Sequence, residues 1–246
     1  MTYSEGRVAL VTGGSRGIGA EISKRLAADG FIVAVNYLSN LDAATAVVDE
    51  IVSSGGNAFA VAADISSLSD VAAMFATVEK RSGPIAVLVN NAGIMELAPI
   101  ANMDAETFDR MVSINFTGTF NSLQQAARQM AEGGRVINIS SSLTRLKLPT
   151  YGPYAATKAA VETLTAIFSR ELKGRNITVN AVAPGPTATE LFFKGKSDQL
   201  ISNITRMAPL ERLGRPEDIA AVVSFLAGPD GAWVNGQTLF ANGGAI

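Results

Sequence analysis

Thr12-Gly13-Gly14-Ser15-Arg16-Gly17-Ile18-Gly19 is the stretch that decides the fold. A short apolar run, Arg7-Val8-Ala9-Leu10-Val11, precedes it, and a helical pattern opens near Ala20. Strand, glycine-rich turn and helix in that order form the phosphate-binding start of a dinucleotide fold. The glycines let the backbone turn sharply and approach a pyrophosphate, and the helix N-terminus offers free N–H groups at the positive end of its dipole. The spacing is G-x-x-x-G-x-G rather than the commoner G-x-G-x-x-G.

Outward from this turn, apolar β-rich runs recur at Arg7–Val11, Phe31–Asn36, Ala58–Ala62, Ile85–Asn90, Arg135–Ser140, Ile177–Ala183 and Gln237–Phe240. Helical patterns lie between them. Leu68–Arg81 sets Val71, Met74, Phe75 and Val78 at helical spacing, and Tyr154–Lys173 does the same with Val161, Leu164, Ile167, Phe168 and Leu172. Near-continuous apolar strands alternating with helices predict a parallel sheet covered on both faces, here a single-domain, doubly wound α/β Rossmann fold of seven strands. At 246 residues the chain suits one such domain. Residues 184–209 break the rhythm with Pro184-Gly185-Pro186 and Leu191-Phe192-Phe193, and 186–209 reads either as a lid over the strand ends or as a plain surface helix pair.

Composition excludes several function classes. Net charge is −2 and the isoelectric point about 5.3, so no basic surface invites nucleic acid or an anionic membrane. The longest apolar runs are far too short to span a bilayer. The N-terminus lacks a basic segment followed by an apolar one, so no signal peptide is expected and the cytoplasm is the expected location. There is no cysteine and no histidine. Disulfides, thiolate nucleophiles, cysteine-ligated or histidine-bound zinc and a Ser-His-Asp triad are all excluded, and no metal site is expected. An acid–base catalyst must then be Asp, Glu, Lys or Tyr.

Tyr154-Ala155-Ala156-Thr157-Lys158 supplies one. Residues four apart share a helix face, so the two side chains project into the same space. A nearby ammonium favours phenolate, which predicts a lowered tyrosine pKa and makes Tyr154 a general acid or base.

With the turn, Asp64, Asn90-Asn91-Ala92-Gly93, Asn115, Ser141, Tyr154, Lys158 and Pro184-Gly185 in this order, the chain resembles the short-chain dehydrogenase/reductase family over essentially its whole length. The resemblance implies a catalytic set of Asn115, Ser141, Tyr154 and Lys158. Ser141 would hydrogen-bond the substrate carbonyl, and Tyr154 would deliver a proton while NADP(H) delivers hydride. Lys158 would hold the nicotinamide ribose, and Asn115, within a helix, a water linking Lys158 to solvent. Ser140 and Ser142 flank Ser141, and spacing to Tyr154 selects the middle one. Implied cofactor contacts are Gly13, Ser15, Arg16, Ile18, Gly19, Asn36, Asp64, Ile65, Asn91, Ala92, Gly93, Tyr154, Lys158, Pro184, Gly185, Thr187 and Thr189.

Cofactor choice follows from charge. An NAD-selective site wants a carboxylate at the end of strand 2. Here Val35-Asn36-Tyr37-Leu38-Ser39-Asn40 has no acid before Asp42, and Arg16 supplies a guanidinium for a 2′-phosphate, which favours NADP(H). The expected substrate wall, Ile94-Met95-Glu96-Leu97, Leu143–Tyr151 and Leu191-Phe192-Phe193, is mainly apolar and suits a hydrophobic ketone, quinone or acyl chain better than a phosphorylated sugar, so the expected reaction is reduction of a ketone to a secondary alcohol. The sequence is also similar to 3-oxoacyl carrier-protein reductases, which dock an acidic carrier on basic residues. Arg175 matches one of these positions, but Glu132 stands near the other, so a broader carbonyl reductase is the expectation and the carrier-protein reductase the alternative. A non-catalytic NADP(H)-binding regulator is the third reading, disfavoured by the intact catalytic set. The resemblance further implies a homotetramer built through the long helices and the apolar C-terminal strand, Trp233–Phe240.

Overall fold

A computed structural model describes residues 6–246. Seven strands, β1 (Val8–Val11), β2 (Ile32–Tyr37), β3 (Asn57–Ala62), β4 (Ile85–Asn90), β5 (Arg135–Ile139), β6 (Thr178–Pro184) and β7 (Thr238–Ala241), form one sheet in the order β3-β2-β1-β4-β5-β6-β7. Every pairing is parallel. Each apolar run of the sequence is a strand, displaced by at most a residue or two at its ends. The order reverses between β1 and β4, and in such sheets ligands bind at the carboxyl ends of the strands beside this switch point.

Helices α1 (Gly17–Ala28), α2 (Leu41–Ser53), α3 (Leu68–Ser82), α4 (Ala105–Val112), α5 (Gly118–Gln129), α6 (Leu143–Leu146), α7 (Gly152–Glu171), α8 (Glu190–Phe193), α9 (Asp198–Thr205) and α10 (Pro216–Ala227) make the connections. Strand residues alternate between two apolar layers because successive side chains point to opposite faces. Ala9, Val11, Val33, Val35, Val87 and Val89 meet α1, α2 and α10 on one face. Val8, Leu10, Phe59, Val61, Leu88 and Val136 meet α3, α5 and α7 on the other. Phe75 of α3 is fully buried there. Truncating such a ring to alanine costs about 3–5 kcal/mol, so this layer holds α3 and the strand ends beside it in place.

Local chemistry sets the helix boundaries. Asn40, Ser67, Asp104, Thr189 and Ser197 cap α2, α3, α4, α8 and α9 by accepting a backbone N–H. Between α4 and α5 the chain makes a π-helical turn over Ser113–Thr117. The segment 186–209 contains α8 and α9, both short. Among the described residues no helix is long and apolar enough to cross a membrane.

Candidate active site

The glycine turn is held from both sides of the switch point. The Thr12 hydroxyl accepts from the N–H groups of Asn91 and Ala92 at 3.0 and 3.1 Å. The Asn91 amide donates to Thr12 O and Gly13 O at 3.0 Å each. Gly13 N donates to Asn36 Oδ1 at 3.1 Å. Gly13 and Gly17 lie at φ of 60° and 52°, in the left-handed region that glycine adopts without penalty. A Cβ on Gly19 would sit 2.3 Å from Gly13 O and 2.4 Å from Asn91 Nδ2, so only glycine fits.

α1 then begins differently from its neighbours. Its N-cap, Arg16, makes no side-chain cap, and the first turn carries no acid. The leading N–H groups and the positive end of the dipole are therefore left to an external anion. Arg16 is exposed beside them, and the backbone of Gly17 lies against Thr189, where an added Cβ would stand 3.5 Å from Thr189 Cγ2. This donor set fits a dinucleotide pyrophosphate.

Several expected cofactor residues spend their side chains on the protein itself. Asn36 is buried and also donates to Val61 O and Ala63 O at 3.3 and 3.2 Å. The Asp64 carboxylate accepts from the Ser66 N–H and hydroxyl at 2.9 and 2.7 Å. Ile65 is buried against Gly118, where even a methyl group would collide with it. Thr187 donates to Gly185 O at 2.9 Å, and Thr189 caps α8. These side chains are engaged in holding the strand ends and turns that border the site. Ser15, Ile18 and Gly93 are half-buried along its edge, and Pro184 and Gly185 close β6 against β7, with Gly185 N donating to Ala241 O at 2.9 Å.

The four expected catalytic residues converge at the carboxyl ends of β4 and β5. Asn115 lies in the π-helical turn Ser113–Thr117, a local widening of the helix expected there, of the kind found at functional sites. It is fully buried. Its Oδ1 accepts from Ile94 N at 2.8 Å, and its Nδ2 donates to Ile94 O at 2.8 Å and Thr157 Oγ1 at 3.3 Å. A Cβ on Gly93 would touch both Asn115 Oδ1 and Lys158 Nζ, at 3.2 and 3.5 Å, which places the three together. Lys158 is buried, with Nζ donating to Ile139 O at 2.8 Å and lying 5.9 Å from the Tyr154 ring centre.

The triple serine resolves by elimination. Ser140 Oγ lies 2.7 Å from Glu162 Oε1, and Ser142 Oγ donates to Ala183 O at 3.2 Å. Ser141 Oγ accepts from Leu143 N at 3.3 Å and is the one of the three that acts on Tyr154, lowering its pKa. The loop leading into α7 holds Thr150 at φ 72°, a strained value for a β-branched residue, and Thr150 O accepts from Ala98 N at 3.2 Å. The segments after β4 and β5 are thereby tied across the cleft.

One electrostatic expectation is corrected. Tyr154 is pushed up to about 12, not down: burial favours the neutral phenol, and the neighbouring Ser141 hydroxyl opposes it only in part. The ammonium, 5.9 Å from the ring centre, does not offset that desolvation. Burial likewise lowers Lys158 to about 8. Two cavities, of about 430 Å³ around Arg7 and Arg135 and about 620 Å³ around Thr144, Glu162 and Arg170, contain none of the four residues. Convergent chemistry locates the site better than hollowness does.

Comparison with known proteins agrees with this geometry. The profile of a family described as Enoyl-(Acyl carrier protein) reductase matches residues 13–245. A short-chain type dehydrogenase/reductase of Picea abies is 45% identical, the match covering 98% of this chain and 93% of the relative. The chain belongs to the short-chain dehydrogenase/reductase family. Other short-chain dehydrogenase/reductase relatives diverge in the activity they are named for. An NADPH-dependent aldehyde reductase-like chloroplastic protein of Arabidopsis thaliana is 43% identical over 98% of this chain and 94% of its own. The 3-oxoacyl-[acyl-carrier-protein] reductase of Staphylococcus aureus is 42% identical over 96% of each. Among solved structures, a dehydrogenase/reductase of Sinorhizobium meliloti superposes with TM-score 0.94 at 39% identity, covering 98% and 95% of the two chains. A short-chain dehydrogenase of Burkholderia cenocepacia in complex with NADP superposes with TM-score 0.92 at 38% identity, covering 98% of each.

Sequence reasoning passed over three residues of this site. Thr12 and Thr157 stand inside quoted motifs, yet their hydroxyls hold Asn91 and Asn115. Glu162 stands four residues after Lys158 on the same helix face, and that spacing was the available signal.

Proposed function

We propose that this enzyme reduces a small, mainly apolar aldehyde or ketone to the alcohol with NADPH. The observation that carries the reading is the convergence of Asn115, Lys158 and Tyr154, with Lys158 Nζ 5.9 Å from the Tyr154 ring centre and Ser141 close enough to act on the Tyr154 hydroxyl. NADPH, when bound, supplies the hydride. Gly13 to Gly19 and the α1 N-terminus bind its pyrophosphate, Arg16 meets the 2′-phosphate, and Asn91 to Gly93 and Pro184 to Thr189 border its path. As charge develops on the substrate oxygen, Ser141 donates a hydrogen bond to it. Tyr154, held neutral by burial, is a competent proton donor at neutral pH. Lys158 orients the donor and places positive charge beside the phenolate that remains. Asn115 fixes Ile94 and Gly93 so that this charge stays near the ring.

Residues 186–209 act as a lid. Lys194 pairs with Glu96 at 2.9 Å and thereby joins α8 to the segment after β4 across the cleft mouth. Lys196 bonds Phe192 O at 2.6 Å and lies 4.9 Å over the Phe192 ring, which shapes the apolar side of that mouth.

The carrier-protein reductase is the second reading, and the Staphylococcus aureus relative favours it. Arg175 argues against it. Its guanidinium pairs with Glu132 at 2.9 Å and donates to Ala127 O and Met130 O at 2.6 Å each, so it closes the end of α5 instead of standing ready for an acidic carrier. A homotetramer in the cytoplasm completes the proposal: Phe120 of α5 and Ile167 of α7 are about half exposed, and Trp233 before β7 is 96% exposed.

NADPH oxidation with an aryl ketone, an aryl aldehyde and a β-ketoacyl thioester, free and carrier-bound, tests the reading. Fast turnover of the free carbonyls, lost by roughly 10²–10⁴-fold in Tyr154→Phe, supports it. A strong preference for the carrier-bound thioester overturns it in favour of the alternative, and a monomeric mass by light scattering removes the tetramer.

A further inference from the structure

Ser141 rides on a short turn, Ser140 to Thr144, that leads from β5 into the first residues of α6, and both ends of that turn converge on one carboxylate oxygen. Ser140 Oγ lies 2.7 Å and Thr144 Oγ1 2.9 Å from Glu162 Oε1. Glu162 stands on α7, two turns beyond Tyr154 and one beyond Lys158. Ser140 is buried and also lies 3.4 Å from Lys158 O, so the turn is pressed directly onto the helix that carries the proton donor. An ionised carboxylate accepts only, so both hydroxyls must aim their hydrogens at it. With its one hydrogen aimed at Glu162, Thr144 Oγ1 only approaches Ser141 O, at 3.0 Å, and the clamp reaches Ser141 through the covalent turn and through Leu143 N, which donates to Ser141 Oγ at 3.3 Å.

We propose that Glu162 is a positioning residue: by bridging both ends of the serine turn and fixing them to α7, it sets the geometry between Ser141 and Tyr154. The inference rests on the carbonyl-reductase reading above and adds a residue which that reading does not use. Hydrogen bonds to a charged acceptor are the stronger kind, and here two of them share one oxygen, so a side chain that lacks this oxygen loses both together, while a neutral amide of the same length weakens them and keeps them. Glu162 touches neither substrate nor cofactor in this arrangement; it acts through Ser141.

The test uses the full chain with the free carbonyl compound turned over fastest in the panel above. Glu162→Ala lowers kcat roughly 10-fold to 100-fold, the scale on which a misplacement of about 1 Å acts, while the KM for NADPH is unchanged. Glu162→Gln, which keeps an acceptor oxygen, restores most of the rate. Ser140→Ala with Thr144→Val removes the donors and leaves Glu162 in place, and it reproduces the loss even where Glu162→Ala fails to fold. In a Ser141→Ala background, Glu162→Ala costs nothing further, because the effect passes through Ser141. Additive losses in that background, or full activity in Glu162→Ala, overturn the proposal. Crystal structures of the wild type and Glu162→Ala give a readout that needs no substrate, and an unmoved Ser141 overturns the proposal as well. If Ser141→Ala and Tyr154→Phe themselves leave turnover intact, the reductase reading fails instead, which is a different result.

Discussion

Asn115 grips Ile94 from both sides, accepting from its N–H at 2.8 Å and donating to its carbonyl at 2.8 Å. A single side chain thus replaces the strand neighbour that Ile94 lacks once β4 has ended. Asn115→Leu leaves both backbone groups orphaned in a buried place, each costing about 1–3 kcal/mol. Asn115→Asp keeps the acceptor alone and falls between the two. Urea unfolding of the three proteins gives this ranking, and kcat falls in the same order because Gly93 and Lys158 lean on the same amide.

The glycines of the turn differ in what they tolerate. Gly17→Ala meets only its positive φ and a Thr189 methyl at 3.5 Å, a strain of roughly 1–2 kcal/mol. Gly19→Ala places a methyl inside van der Waals contact with Gly13 O and Asn91 Nδ2, neither of which is the far end of a long flexible side chain. NADPH fluorescence titration shows weakened binding in the first and none in the second. Equal affinities would mean that the turn is looser than its contacts imply.

The sheet was legible because its strands are buried on both faces and so read as unbroken apolar runs, such as Ile85–Asn90. The glycine turn was legible because few other sequences bend so tightly between a strand and a helix. The direction of the Tyr154 shift was not, since spacing places Lys158 on the same face but does not say whether desolvation outweighs it. The π-helical turn at Asn115 was hidden because its residues, Ser113-Ile114-Asn115-Phe116-Thr117, carry no pattern that separates it from an ordinary helix. Glu162 was passed over because the turn that it holds lies 18 to 22 residues earlier in the chain, beyond the reach of helical spacing.

In the proposed reading, Arg16 sets the cofactor preference by charge. It is exposed, extends from the N-cap of α1, and has no acidic partner among the described residues. Charge-assisted bonds to a phosphate are worth about 1.5–3 kcal/mol, so Arg16→Ala raises the KM for NADPH roughly 10-fold to 100-fold. NADH, which lacks the phosphate, is unaffected. Steady-state kinetics with both cofactors separates this from a general loss of binding, which would raise the two values together.

Lys158 makes stability depend on pH in a direction opposite to Tyr154. Its folded pKa of about 8 lies below the ordinary 10.5 because burial penalises the ammonium. Between these values the unfolded chain binds more protons than the folded one, so the Lys158 contribution is complete above about 10.5 and is lost as pH falls toward 8. At about 1.4 kcal/mol per pH unit, the whole span is on the order of 3 kcal/mol. Tyr154, raised from 10.0 to about 12, acts in the reverse sense, with stability falling as pH rises through that range. Comparing the wild type with Lys158→Met isolates the lysine, because the tyrosine remains in both. Urea unfolding across pH from about 7 to about 10 then shows the wild type gaining on the variant above about 8, with the two curves parallel below it. A difference that stays constant across the whole range would mean that the lysine keeps its charge in the folded protein, and Ile139 O and its neighbours would then be solvating an ammonium at every pH of the experiment.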